Sequence, residues 1–423
     1  MGDMSSMSRE SKKRELRSRV ISSETSVYRP GFEAEGAEEE AREALRRARR
    51  RRRLIVIVMV IVAAAGAAGW FYYRRNYQYT SYETSWQVDL NEGSLVSYEA
   101  FGTNVLKVTK DGASYIDNKG KPVWTDSYEM KNPVVTVHGE YAAVVDRQGN
   151  SIYIYNTQGR EGETTTILPI SKAAVSGGGV VAAVLEDSTA SYVTFYNRDG
   201  TSLDITVKTI MSGDGYVMDV ALSDDGTQLM CSVAYLTNGE LKTRVVFYDF
   251  SEVGKNIPNR MVGGFDDEFG DAMVPRVTYL SEPYSCAFSV NGMTFFTSKN
   301  LASPEVVGQY TVEEEIESVL YSEDYAAIIV RNTTGEYNNR LEVCKSDGTH
   351  VLTKEFNYDY THADIDGDQI VLYKENSCQV FNMAGVQKLY AAFDFTVDRV
   401  RQGRFPNSLL VTGPQQMREI RLH

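Results

Sequence analysis

Through most of this chain one short motif recurs: an apolar strand, a polar turn ending in glycine, and a second strand. It reads Tyr115-Ile116-Asp117-Asn118-Lys119-Gly120, Ile154-Tyr155-Asn156-Thr157-Gln158-Gly159, Phe195-Tyr196-Asn197-Arg198-Asp199-Gly200, Val343-Cys344-Lys345-Ser346-Asp347-Gly348 and Val380-Phe381-Asn382-Met383-Ala384-Gly385, with a stretched copy from Phe247-Tyr248-Asp249 to Gly254. Glycine supplies a positive φ, and Asn or Asp ahead of it tolerates left-handed geometry while bonding its own backbone. The turn glycines step by 39, 41, 54, 94 and 37 residues, the fourth step being two units. Short alternating or β-branched runs fill the intervals and long amphipathic helical patterns are missing, which is an all-β signature. A period near 40 in such a chain predicts a β-propeller of four-stranded blades.

A second series marks the innermost strand of each blade. It begins near Leu95, Val134, Ala173, Val217, Arg276, Glu317, His362 and Val397, eight starts in all. Eight blades are therefore expected. Seven is the alternative, because the fifth unit, about residues 274–312, lacks a clean turn glycine. The last unit holds only three strands, around 397–401, 408–412 and 417–422. Its missing outer strand is supplied by Thr84 to Leu90, so the two ends of the domain, residues 83–423, close one sheet and leave no exposed edge.

Ahead of the repeats lies LIVIVMVIVAAAGAAGWFYY, residues 54–73, a 20-residue apolar run long enough to cross a bilayer as a helix. Eight arginines between Arg42 and Arg53 precede it and only Arg74 and Arg75 closely follow. By the positive-inside rule the N-terminus is expected in the cytoplasm and the repeat domain outside, with Trp70, Phe71, Tyr72 and Tyr73 at the outer interface. A secretory signal peptide fits less well, since some fifty residues come before the run. Residues 1–32 are polar, serine-rich and expected to be a disordered tail. Residues 33–53 have acidic residues first and arginines last, with Glu38/Arg42 and Glu43/Arg47 at i,i+4 spacing, and are expected to form a helix continuous with the span. Residues 74–82 are read as a linker.

Charge changes at the same boundary. After residue 75 the chain carries 27 basic and 47 acidic residues, a net charge near −20. That excludes a nucleic-acid surface, which needs a basic footprint. The four cysteines, Cys231, Cys286, Cys344 and Cys378, show neither a CxxC spacing nor a His/Cys cluster and are read as buried free thiols, with disulfides as the alternative.

Candidate sites are few. Asp364, Asp366 and Asp368 are clustered carboxylates of the kind hard cations take, although the position is that of a hairpin turn and the downstream glutamate of an EF-hand loop is missing. The longest departure from the period lies between Phe250 and Val274; extra length maps to a loop, where binding residues collect. Phe265, Asp266, Asp267, Glu268, Phe269 and Asp271 are the partner-binding candidates there. The acidic run Glu313-Glu314-Glu315 with Glu317 reads as a solvated connection between blades. Four histidines and no GxSxG, HExxH or Walker-type motif leave no catalytic residue to name; His362 beside Asp364 needs a nucleophile from another blade.

Segments such as DGASYIDNKGKPVW, Asp111 to Trp124, resemble quinoprotein-type and WD40-like propeller repeats. Basic tail, single helix and outer propeller together, roughly residues 40–423, resemble a family of uncharacterised membrane-anchored propeller proteins of Gram-positive bacteria. A rigid acidic ring held at the membrane without a recognisable catalytic set is read as a non-catalytic binding or scaffold module of the cell envelope, held in the lipid bilayer through residues 54–73, with an envelope protein or wall component as partner. A propeller enzyme, either a quinone-dependent oxidoreductase or a hydrolase, and a ligand sensor are the alternatives. No Trp-Asp dipeptide occurs and Trp70, Trp86 and Trp124 are the only tryptophans. The per-blade tryptophans of quinone-binding dehydrogenases are mostly missing, and no cofactor is expected.

Overall fold

The computed structural model describes residues 33–90, 97–333 and 335–423. The expected tail over 1–32 lies outside the described residues, as do the side chains of Glu38, Arg42, Glu43 and Arg47. The chain divides into two compact units, 1–74 and 75–423. Among the described residues of the first, the α-helix Glu33–Asn76 carries the charged segment straight into the apolar run. Its stretch Arg50–Asn76 is 27 residues long, about 40 Å at a helical rise, and by length and composition suffices to cross a membrane. Leu54 to Val62 and Trp70 to Tyr73 expose their apolar side chains.

The second unit is an all-β propeller of eight four-stranded antiparallel sheets. The blades cover residues 97–127, 133–165, 170–210, 216–265, 276–311, 316–356, 362–392 and, for the last, 399–422 together with 82–89. Blade 5 is complete: Arg276–Tyr279, Tyr284–Ser289, Gly292–Thr297 and Glu305–Thr311. Its outer turn needs no glycine because Asn300 does the work, its Oδ1 accepting from Ala302 N at 3.3 Å and its carbonyl from Ser303 N at 3.0 Å. Eight blades rather than seven follow.

The ring closes as the terminal strands imply. Tyr82–Asp89 pairs antiparallel with Gln416–Leu422, Tyr82 opposite Leu422 and Val88 opposite Met417. Strand alternation then sends one set of side chains toward each neighbouring blade, and the core is a series of inter-blade layers. Ala182, Val184 and Phe195 of blade 3, for example, meet Val217, Leu229 and Val246 of blade 4. Between blades 7 and 8 Val371 and Leu389 likewise meet Val400, Leu409 and Ile420.

The repeated turn glycine has a second task that the period does not reveal. Gly200 has φ +85°, and a Cβ there would lie 2.3 Å from the carbonyl oxygen of Glu163, in the outer strand of blade 2. Gly120, at φ +76°, would put a Cβ 2.5 Å from a methyl of Val88 on the closing strand. These two turns thus seat their blades against the one before. The two tryptophans of the ring are structural as well. Trp124 lies between Tyr115 and Tyr155, centroids 5.8 and 5.2 Å away, and donates to Thr157 O across the gap between blades 1 and 2. Trp86 Nε1 donates to Glu419 Oε2 at 2.8 Å within the closing sheet. All four cysteines are buried free thiols; burial pushes those of Cys344 and Cys378 up to about 12, which leaves them unreactive.

Candidate functional site

Strand direction gives the propeller two distinct ends. Turns between first and second strands, and between third and outer strands, lie at one end; middle hairpins and inter-blade connectors lie at the other. The chain enters at the first end, where Tyr82 begins opposite Leu422. Residues 75–81 are tied down there by backbone bonds, Tyr79 N to Lys388 O at 2.7 Å and Thr80 N to His423 O at 2.9 Å. Asn382 Nδ2 adds a bond to Arg75 O at 2.8 Å, and Lys388 Nζ donates to Tyr77 O.

The extra length in blade 4 is divided between the two ends rather than gathered in one loop. Residues 251–260 form the outer hairpin turn, with two short 3-10 segments organised by buried Asp249, whose Oδ1 accepts from the amides of Ser251 and Gly254 at 3.0 Å each. Met261–Phe265 is the outer strand itself. Residues 266–275 then form the connector to blade 5 at the far end. The aromatic candidates turn inward. Phe269 is only 5% exposed and Phe265 packs on Phe296 and Phe247 at 4.8 and 5.8 Å, all in the layer between blades 4 and 5. Asp266, Asp267, Glu268 and Asp271 stay exposed.

Beside this connector stands a feature that sequence reading passed over. The middle hairpin of blade 4 has ten-residue strands, Gln228–Thr237 and Glu240–Asp249, where its neighbours use six or seven. Its turn is Asn238-Gly239, both at positive φ, the dipeptide that most favours a two-residue hairpin. Leu236 and Leu241 near the tip are 72% and 52% exposed. Lys242 Nζ reaches Asp271 at 3.4 Å, Arg244 covers the Tyr235 ring at 4.9 Å, and Arg244 Nη2 donates to Asp214 O at 2.5 Å. The signal was the Asn-Gly turn flanked by alternating residues. At the end of the ring away from Tyr82, therefore, two exposed leucines sit on a projecting hairpin that Lys242 ties to Asp271 of the neighbouring connector, which also exposes Asp266, Asp267 and Glu268.

The other carboxylate candidates separate. Asp364 Oδ2 accepts from Tyr373 Oη at 3.2 Å and faces Arg399 Nη2 at 3.7 Å. Asp366 Oδ2 accepts from Gln402 N at 2.5 Å. Asp368 is exposed in the two-residue turn that Gly367 opens at φ +60°. Among the described residues no three His, Cys, Asp or Glu side chains are grouped to hold a metal ion. Around the inner strands charges instead tie blades together. Arg399 pairs with Glu99 of blade 1, and burial still holds that carboxyl above its usual range despite the arginine. Lys172, Asp219 and Arg276 link blades 3, 4 and 5 at 3.2 and 3.8 Å, and Asp219 also accepts from Val277 N. The acidic connector is partly paired too, Glu314 with Arg340 at 2.6 Å and Glu317 with Arg331 at 2.5 Å.

His362 stacks on Tyr373 at 5.3 Å. His350 Nε2 lies 2.8 Å from buried Glu342 Oε2 and 3.4 Å from Thr353 Oγ1, but a proton relay needs the two ring nitrogens to face opposite partners, and here one nitrogen faces both. Thr353 itself donates to Glu342 at 2.6 Å. The arrangement satisfies a buried carboxylate.

A family described as "Family of unknown function (DUF5711)" matches residues 75–422, the whole propeller unit. The chain belongs to the DUF5711 family. No curated protein matches this DUF5711 chain. Among solved structures it is similar in fold to BamB from Moraxella catarrhalis (TM-score 0.51, 13% identity, 81% of this chain and 100% of that one). It is equally similar to Sqt1 from Chaetomium thermophilum (TM-score 0.51, 10% identity, 81% and 100%) and to the Dos1 propeller (TM-score 0.51, 9% identity, 80% and 95%). At these identities the likeness is one of fold alone.

Proposed function

We propose that this protein is a membrane-anchored, extracytoplasmic binding module, non-catalytic, of the Gram-positive cell envelope. The helix through Arg50–Asn76 is its anchor, residues 1–53 are cytoplasmic and the propeller lies outside; the arginine asymmetry and the Trp70–Tyr73 flank support that orientation. The observation that carries the reading is the far end of blade 4. A hairpin with two exposed leucines stands among exposed carboxylates at the end of the ring away from Tyr82, which suits an envelope protein presenting apolar and basic side chains.

Two experiments test this. Protease added to intact spheroplasts should digest the propeller and spare an N-terminal tag; a digested tag with a protected propeller overturns the orientation. Cross-linking in cells followed by mass spectrometry should give reproducible envelope partners. These should be lost from a variant carrying Leu236→Ser, Leu241→Ser, Asp267→Asn and Asp271→Asn, whose melting temperature should stay close to that of the parent because every substituted side chain is exposed. Partners retained at parental yield by that folded variant would sink the surface. Purified protein that shows quinone absorbance or turns over an ester would sink the non-catalytic reading.

A further inference from the structure

Where the last blade meets the first, at the end where the chain enters, the ring holds a cavity of about 480 Å³, a volume suited to a small organic molecule. Turn residues Thr103, Asn104, Asn118, Gln402 and Arg404 line its polar side together with Arg401 of the inner strand, and Val105 and Leu410 form an apolar wall. We propose that this cavity binds a small carboxylic acid, its carboxylate held by Arg401.

The case rests on which polar groups are already occupied. Arg401 is 18% exposed at its side chain. Its Nη1 donates to Asn104 O at 2.9 Å, its Nε lies 4.0 Å from Asp366, and its Nη2 makes no hydrogen bond among the described residues. Two residues earlier on the same strand, Arg399 has both Glu99 and Asp364 beside it. A largely buried guanidinium without a hydrogen-bonded carboxylate costs stability, and a planar fork with a free arm fits an incoming carboxylate. Burial accordingly pushes the Arg401 pKa down while its pairs hold that of Arg399 up.

The carboxylates on the cavity wall are engaged elsewhere. Glu419 accepts from Trp86 Nε1 at 2.8 Å, Arg404 N at 3.2 Å and Ser408 Oγ at 3.1 Å; Asp366 accepts from Gln402 N. Uncommitted capacity therefore belongs to Arg401, to the Arg404 guanidinium, which rests over Phe405 at 5.6 Å, and to the side-chain amides of Asn118 and Gln402. Those groups suit a carboxylate followed by hydroxyl or amide groups, with one apolar edge against Val105 and Leu410. The seat joins turns of the last blade to turns of the first, so an occupant bridges the two blades. Sugar acids and N-acylated amino acids both carry this chemistry.

The test uses the full chain in detergent, with D-glucuronate and N-acetylalanine as probes and D-glucose and N-acetylalaninamide as their neutral counterparts, read by saturation-transfer NMR and by melting temperature. At least one acid should bind and raise the melting temperature, its neutral counterpart should not, and the acid that binds identifies the source. Arg401→Gln should weaken binding on the order of tenfold or more, as the loss of a charge-assisted pair implies. Asn118→Leu, which fills the cavity from an outer turn and leaves Arg401 in place, should also abolish binding, so the proposal does not depend on the arginine variant folding. Binding of neither acid, equal binding of acid and neutral counterpart, or undiminished binding by folded Asn118→Leu would each overturn it.

Discussion

Removal of residues 416–423 is expected to abolish cooperative folding of the whole propeller, although it deletes the last eight residues of a 423-residue chain. The strand Gln416–Leu422 lies between Ser408–Thr412 and Tyr82–Asp89, so its loss also strands the N-terminal partner. Met417 and Ile420 are fully buried and Leu422 nearly so. Burial of three such side chains contributes roughly 5–9 kcal/mol, comparable with the net stability of about 5–15 kcal/mol typical of a folded domain. Two blade faces and a row of unpaired backbone groups would then meet water. Circular dichroism should show no cooperative melt for the truncated protein, and deletion of residues 82–89 should do the same from the opposite end of the chain. A truncated protein that melts like the parent would show that the seam contributes nothing.

Phe269→Ala is expected to cost about 3–5 kcal/mol, the usual loss when a large buried ring is truncated. Its ring sits with Phe247, Val274 and Phe296 in the layer between blades 4 and 5. Asp266→Asn and Glu268→Gln, next to it in sequence but exposed, should stay within about 0.5 kcal/mol. Urea denaturation of the three variants checks this, and it separates packing from recognition in one short segment. If Phe269→Ala were as stable as the carboxylate variants, the ring would belong to the surface.

That segment shows where sequence reading reaches its limit. In FDDEFGD the aromatics and the acids alternate too irregularly for either a helical or a strand period to say which side chains face inward. The answer came from the neighbours, Phe247 some twenty residues earlier and Phe296 some thirty later, packing across two sheets. The excess length after Phe250 was visible as a break in the period, but its division between an outer turn and a connector was not. A strand as short as Met261–Phe265 is defined by its partner, Val245 to Tyr248, more than by its own residues.

The eight blades and their closure were legible because they rest on local chemistry. A turn at positive φ demands glycine wherever it occurs, apolar alternation marks each strand, and a unit one strand short must find it at the other end of the chain. The apolar helix was legible for the same reason, since its length and composition are read directly from one uninterrupted run of residues. What only the tertiary structure decided is which charged groups meet. Arg399 finds Glu99 across three hundred residues of chain, while Arg401, two positions along the same strand, finds among the described residues only a carbonyl and a distant carboxylate. Both arginines read alike in sequence, because hydrogen-bond partners and burial are set by which loops the closed ring brings together at its seam, and no local pattern encodes that neighbourhood.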